Sequence, residues 1–251
     1  MGCGNLAYHI AEKLNTLNQF KICVVNHKPN KNLNYFKKLN CEIYTSLNKI
    51  PTNASLYIIS VKDSAIDLVA KKLTTIAAKE LVVHTSGSVN LNVLTKYNLN
   101  SGVFYPLQSF SFNTSVDWEN TPLLIEGKTN NEKKKLNLFA KLFSNNVLNC
   151  TSMQRLNYHL NAVIVNNFTN ALYTLSESNC TNNKLKFKLL FPIIETTLSK
   201  LKENGALASQ TGPAKRNDLV VIKKHLKLLK SNSIEYKTYK LLTQLIKNQH
   251  A

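Results

Sequence analysis

One short stretch, Gly2-Cys3-Gly4-Asn5-Leu6-Ala7, constrains this chain more than any other. Gly-x-Gly-x-x-Ala is the Gly/Ala form of a dinucleotide-binding turn. Its first Gly permits a tight turn out of a strand, and its second lets the backbone approach a pyrophosphate. The small third residue lets the next helix lie close to a sheet. Leu6 to Leu17 should be that helix, because Leu6, Ile10, Leu14 and Leu17 fall on one stripe. Its N-terminus would offer free N–H groups and a partial positive charge to phosphate. A strand should precede the turn, yet only Met1 does. In a doubly wound sheet that strand is central, between the strands expected at Lys21 and Ser55, and losing it would leave both without partners. The expectation is therefore that the native chain starts upstream of Met1. An intact mass matching 251 residues would instead mark a decaying copy.

The length allows one large or two modest domains, and 43% hydrophobic with 18% charged residues indicates a globular chain. The net charge of +18 could suit a polyanion, but the basic residues form no stripe interleaved with aromatics. It reads as a lysine-rich composition, and no specific nucleic-acid partner is expected. The five cysteines are odd in number and lack a C-x-x-C pair, so neither a metal site nor a disulfide framework is indicated. Reduced thiols fit a cytoplasmic protein. No leader or spanning segment is visible, so no membrane association is expected.

Lys21 to Asn26 should be a buried strand, about twenty residues past the turn, where the residue that reads the ribose belongs. No acid stands there. Asn26, His27 and Lys28 do, and Lys28 and His27 could accept a 2′-phosphate that a carboxylate would repel. NADP is therefore favoured over NAD, which is not excluded. Short elements follow: a helix over Leu33 to Leu39, then strands over Glu42 to Thr45, Ser55 to Val61 and Glu80 to His84. The helix from Ala65 to Ala77 should be capped by Asp63 or Ser64. Strands over Gly102 to Tyr105 and Pro122 to Glu126, a helix over Asn131 to Ser144 and a closing stretch over Asn146 to Asn149 complete residues 1–150. Strands alternating with helices imply a parallel sheet, with ligands at the carboxyl ends of its strands. That places the phosphates on Gly2, Gly4, Asn5 and Leu6 and the nicotinamide near Val61 and Ser86.

From residue 151 to 251 no strand pattern appears. Gln154 to Glu177 reads as one long, mostly buried helix, with Leu156, Leu160, Val163, Asn167, Ala171 and Leu175 at helical spacing. Leu185 to Asn204 should be a helix kinked at Pro192. Asp218 to Leu229 and Ile234 to Lys247 are two more. The first helix carries Arg155, Tyr158, His159, Asn166 and Asn167 among apolar residues, and the seven-residue spacing of His159 and Asn166 puts them on nearly one face. Such groups serve equally as satisfied core residues or as a site. A second polar cluster, Thr211 to Asp218, favours a site: Arg216 could clamp a carboxylate, and Asp218 could cap its helix or hold Arg216 or His159.

In this order, five motifs resemble those of a known family. They are Gly2 to Ala7, His84-Thr85-Ser86-Gly87-Ser88, Tyr105-Pro106-Leu107-Gln108-Ser109-Phe110, Arg155-x-x-Tyr158-His159 with Asn166-Asn167-Phe168, and Thr211-Gly212-Pro213-Ala214-x-Arg216-x-Asp218. Together they look like Rossmann-like oxidoreductases with a C-terminal helical domain of unknown function. The architecture is similar to ketopantoate, pyrroline-5-carboxylate and 6-phosphogluconate dehydrogenase-like reductases. The resemblance implies a Rossmann-type doubly wound parallel sheet, here with its first strand truncated, then an all-α domain, whose apolar faces make a homodimer the expected state. It also implies NADPH-dependent reduction of a small 2-keto acid, ketopantoate among the candidates. His159 would be the proton donor, Asn166 would orient the substrate and Arg216 would bind its carboxylate. His159 stands where related dehydrogenases carry a Lys, and Asn217 where the family often has Gly. The alternative is a non-catalytic dinucleotide-binding or degenerate member.

Overall fold

The computed structural model describes residues 1–28, 30–77 and 79–250, so Ala251, the end of the expected helical domain, falls outside. Contact density divides the chain into Met1–Val165 and Asn166–Ala251. The first unit runs α1 (Asn5–Thr16), β1 (Cys23–Val25), α2 (Leu33–Lys37), β2 (Glu42–Tyr44), β3 (Leu56–Ile59), α3 (Asp63–Leu73) and β4 (Leu81–His84). It continues with α4 (Asn92–Thr95), β5 (Asn100–Pro106), β6 (Leu123–Gly127), α5 (Asn130–Ala140), β7 (Val147–Asn149) and α6 (Ser152–Ala162).

The strands form two pieces, β1-β2 and β3-β4-β5-β6-β7. Met1 and Gly2 lie between them. The Met1 amino group donates to Ile58 O at 2.6 Å, Ser60 N–H donates to Met1 O at 2.8 Å, and Gly2 N–H donates to Val25 O at 2.9 Å. This stretch holds the central position expected for the strand before the glycine turn. Burial lowers the Met1 amine to about 6. The all-parallel expectation needs one correction: β5 and β6 are antiparallel, with Tyr105 opposite Leu124. No crossover helix separates them, so the chain simply turns back.

Apolar side chains cover both faces of the larger sheet. Val83, Phe104 and Ile125 pack with Ile10, Leu14 and Leu136 on one face, and Ile59 and Val82 pack with Ile66, Leu73 and Leu94 on the other. Each fully buried side chain of this size contributes about 1.5–3 kcal/mol. The stripe expected on α1 is present, with Ile10 and Leu14 buried and Leu6 and Leu17 packed beside them. The expected cap on α3 is not. Lys62 is the N-cap and Asp63 sits in the first turn, where its carboxylate accepts the Ser88 hydroxyl at 2.5 Å.

Beyond α6, residues Val163–Phe168 form a π segment that leads into α7 (Thr169–Asn182). A π segment does not keep the 3.6-residue repeat on which a shared face for His159 and Asn166 depends. Next come α8 (Phe191–Asn204), α9 (Ala206–Ser209), α10 (Leu219–Leu228) and α11 (Ile234–Gln249). Pro192 does not kink a helix. It lies in the first turn of α8, where its missing N–H costs nothing, after a 3₁₀ turn over Phe187–Leu190. The helix expected to be mostly buried is mostly exposed, with Leu156, Leu160, Asn167 and Ala171 at the surface of the single chain. Periodicity reports an apolar stripe without saying what covers it. Among the described residues no helix is long and apolar enough to cross a membrane.

Candidate functional site

The glycine turn comes first. Gly2 has φ +102°, and a Cβ there would stand 2.1 Å from Ser60 O and 3.3 Å from a Val61 methyl. Only glycine fits, and the turn is thereby pressed against the end of β3. Gly4 is the opposite case: nothing lies within 4 Å of the Cβ position. Gly4 is the N-cap of α1, and no side chain caps the helix. Tyr8 N–H is the first to reach an intrahelical acceptor, Gly4 O at 3.0 Å, so those of Asn5, Leu6 and Ala7 precede the helical ladder. The Leu6 side chain packs into the core, so only its backbone faces the turn. This open, donor-rich helix end suits a pyrophosphate.

Beside it lies a cavity of about 530 Å³ lined by Asn5, Lys31, Tyr35, Lys38 and Phe112. The Asn26 amide donates to Lys28 O at 2.6 Å and shapes the turn after β1, and Lys28 itself is exposed. Sequence reasoning missed Lys31, although it stands in the same basic loop. It also missed the role of residues 107–122, which fold over α1. Asn5 donates to Phe110 O at 2.8 Å, His9 Nε2 lies 2.7 Å from Ser111 O, and Phe112 stacks on Tyr35 at 4.5 Å.

A polar centre lies at the ends of β4, β5 and β6. His84, Val103 and Glu126 are direct cross-strand partners in a row, so their side chains share a face. Tyr105, two residues past Val103, shares that face too. Arg155, with no exposure, reaches Glu126, Val89 O at 2.5 Å and Ser152 Oγ at 3.2 Å. Glu126 also accepts Ser152 N–H at 3.0 Å and its hydroxyl at 2.7 Å. One ion pair thus ties the start of α6 to β6 and to the loop after β4. His84 is fully buried and accepts Ser86 N–H on Nδ1 at 3.2 Å, which leaves its proton on Nε2. Burial, helped by the Arg155 charge, pushes His84 down to about 3, so the ring is neutral. The Ser86 hydroxyl accepts from Ser88 N–H and Val89 N–H, both at 3.1 Å, and holds that loop in shape.

His159, one turn beyond Arg155, meets Tyr105: its Nδ1 is 3.0 Å from the phenol oxygen. The pair lies against Gly87, where a Cβ would stand 2.7 Å from His159 Nδ1 and 2.8 Å from Tyr105 Cζ. Of the expected catalytic residues, His159 therefore belongs to the first unit, and Asn166 and Arg216 to the second. Arg216 is exposed on a short turn. After it, Asn217 adopts φ +54°, a left-handed conformation that asparagine tolerates and glycine prefers. Asp218 caps α10, accepting Val221 N–H at 3.1 Å.

The molecule resembles several solved structures. A candidate NADP oxidoreductase of Bacteroides fragilis is 34% identical, with 98% of this chain and 96% of that one covered and a TM-score of 0.89. An Aspergillus terreus reductive aminase, solved with NADPH and ethyl-5-oxohexanoate, is 12% identical over 98% of this chain and 91% of that one, with a TM-score of 0.71. A Myxococcus stipitatus imine reductase in complex with NADP+ is 11% identical over the same shares, with a TM-score of 0.63. These two share the fold. No curated protein matches the sequence. Residues 121–246 match the model of a domain of unknown function, DUF2520, and with half of its length matched the chain belongs to that family, on a Rossmann-like unit followed by helices.

Proposed function

We propose that the chain is an NADP-dependent reductase of a small substrate. The observation that carries this reading is the uncapped N-terminus of α1 behind Gly4, which is open and rich in N–H donors. The related Bacteroides protein, described as a candidate NADP oxidoreductase, supports it. The residues present fit the cofactor. The N–H groups of Asn5 and Leu6 would hold the pyrophosphate, and Lys28 with Lys31 would hold the 2′-phosphate. Gly2 and Val61 would shape the floor of the site, and Ser86 would fix the loop near the nicotinamide. The cofactor supplies the hydride. His159 donates the proton, Asn166 orients the substrate, and Arg216 binds its carboxylate. The substrate in this reading is a 2-keto acid of the size of ketopantoate. A second reading, reduction of a C=N bond, is favoured by the fold shared with an imine reductase and a reductive aminase.

A second copy of the chain is proposed to cover the helical unit. Leu228, Leu241 and Leu189 are 83%, 72% and 71% exposed, among many large apolar side chains left exposed in this unit, and apolar exposure on that scale is what a second copy would cover. The protein is read as a homodimer of the cytoplasm.

The deciding experiment follows NADPH consumption against a panel of 2-keto acids, ketopantoate included, and cyclic imines. Turnover of one class identifies the bond reduced, and NADPH should be preferred to NADH. Tight NADPH binding with no turnover of either class, and no effect of His159→Ala, would leave the non-catalytic reading standing.

A further inference from the structure

We propose that Tyr105 is a positioning residue for proton delivery. Its phenol holds His159 Nδ1, so that Nε2 carries the transferable proton. This deepens the reductase reading and rests on it for the use of that proton.

Tyr105 Oη lies 3.0 Å from His159 Nδ1, and the rings meet edge to face with centroids 5.9 Å apart. Among the described residues no other side chain hydrogen-bonds the His159 ring. A phenol both donates and accepts, so it can hold the imidazole in either charge state. It donates to Nδ1 of the neutral ring and accepts from Nδ1–H of the imidazolium. Burial pushes the Tyr105 phenol up, with Asp63 adding to the effect and Arg155 opposing it, so the O–H is retained around neutral pH. With the phenol as the donor to Nδ1, the neutral ring at equilibrium carries its proton on Nε2, which diverges from Tyr105.

The surroundings fix this arrangement. His84 is a neutral ring engaged with Ser86 N–H, Arg155 is paired with Glu126, and Asp63 accepts the Ser88 hydroxyl. None of these groups takes the Tyr105 contact. Gly87 leaves room for both rings only because it has no side chain.

The step balances. Starting from the imidazolium, the substrate carbon gains the hydride and its heteroatom takes the Nε2 proton. The electrons of the broken N–H bond stay on the ring, which is left for the moment as the Nδ1–H form donating to the Tyr105 oxygen and reaches the Nε2–H form favoured at equilibrium only through reprotonation. Water returns a proton to Nε2, so each turnover consumes one solvent proton.

The test uses the full chain with ¹⁵N-labelled histidine, and long-range proton–nitrogen spectra recorded where the ring is neutral. His159 is identified by the signals lost in His159→Gln. The unaltered chain should show the Nε2–H tautomer almost alone. Tyr105→Phe removes one hydrogen bond, so the tautomer ratio should fall about five-fold. Gly87→Ala, which pushes the rings apart, should lower it as well and decides the matter if Tyr105→Phe does not fold. With a substrate from the panel, Tyr105→Phe should lower kcat about ten-fold and leave KM within about two-fold. An unchanged tautomer ratio would overturn this proposal. Absence of turnover by the unaltered chain would overturn the reductase reading instead.

Discussion

The two units relate polarity to burial in opposite ways. In the first, Arg155 and His84 have no exposure and Glu126 has 15%, and the charges inside are paired. In the second, leucines, isoleucines and phenylalanines stand in solvent, and among its described residues only Ala214 and Ile222 are buried. The first unit carries its own interior. The second has exposed apolar side chains on α7, α8, α10 and α11 and little interior of its own, which is why a second copy is proposed to cover it. A polar network with every charge matched tends to fix one geometry, whereas an uncovered apolar surface asks for a partner.

The strongest way to break this contrast is Arg155→Ala. It leaves the Glu126 carboxylate without its cation and Val89 O without its donor and should cost about 3–5 kcal/mol, read as a lower midpoint in urea unfolding followed at Trp118. A loss below about 1 kcal/mol would mean that the ion pair does not organise the first unit. Next in size, Ile193→Asp combined with Leu241→Asp places charge on the exposed helices. Association should weaken by at least about 2 kcal/mol, so that sedimentation moves toward the 28.3 kDa single chain. An unmoved mass would place the interface elsewhere. The smallest effect concerns acid. His84 ionises near 3 in the folded chain and near 6.5 when unfolded. Its contribution is therefore complete above pH 6.5 and is lost as pH falls toward 3, because the unfolded chain binds the proton first. Between pH 7 and pH 5.5 the loss should be about 1 kcal/mol, and His84→Gln should remove that slope. An identical slope in the variant would show that His84 does not bury as a neutral ring.

Much of the fold was legible because it rests on local pattern. The stripe on α1 and the apolar runs of β3 and β4 declare themselves within a dozen residues. Strand direction does not, and the antiparallel β5-β6 pair was missed because alternation along a strand says nothing about its neighbour. Pro192 was misplaced because a first-turn proline and a kinking proline look alike without the helix start. The site was legible as residues and not as partners. Arg155 and His159 stood out as polar groups in an apolar helix. Glu126, a lone acid in an apolar strand, carried the same signal, yet 29 residues separate it from Arg155. Tyr105 is 54 residues from His159, and only folding brings the phenol to the imidazole.

Gly87 links these observations to how such a sequence can change over time. Its absent side chain is the space that Tyr105 and His159 occupy. A lineage that acquires even a methyl group at position 87 must first surrender one of the two rings, and a lineage that has lost a ring is free to fill the gap. Positions 87, 105 and 159 should therefore vary together among relatives, and one that has lost the pair of rings should show it first at the smallest of the three.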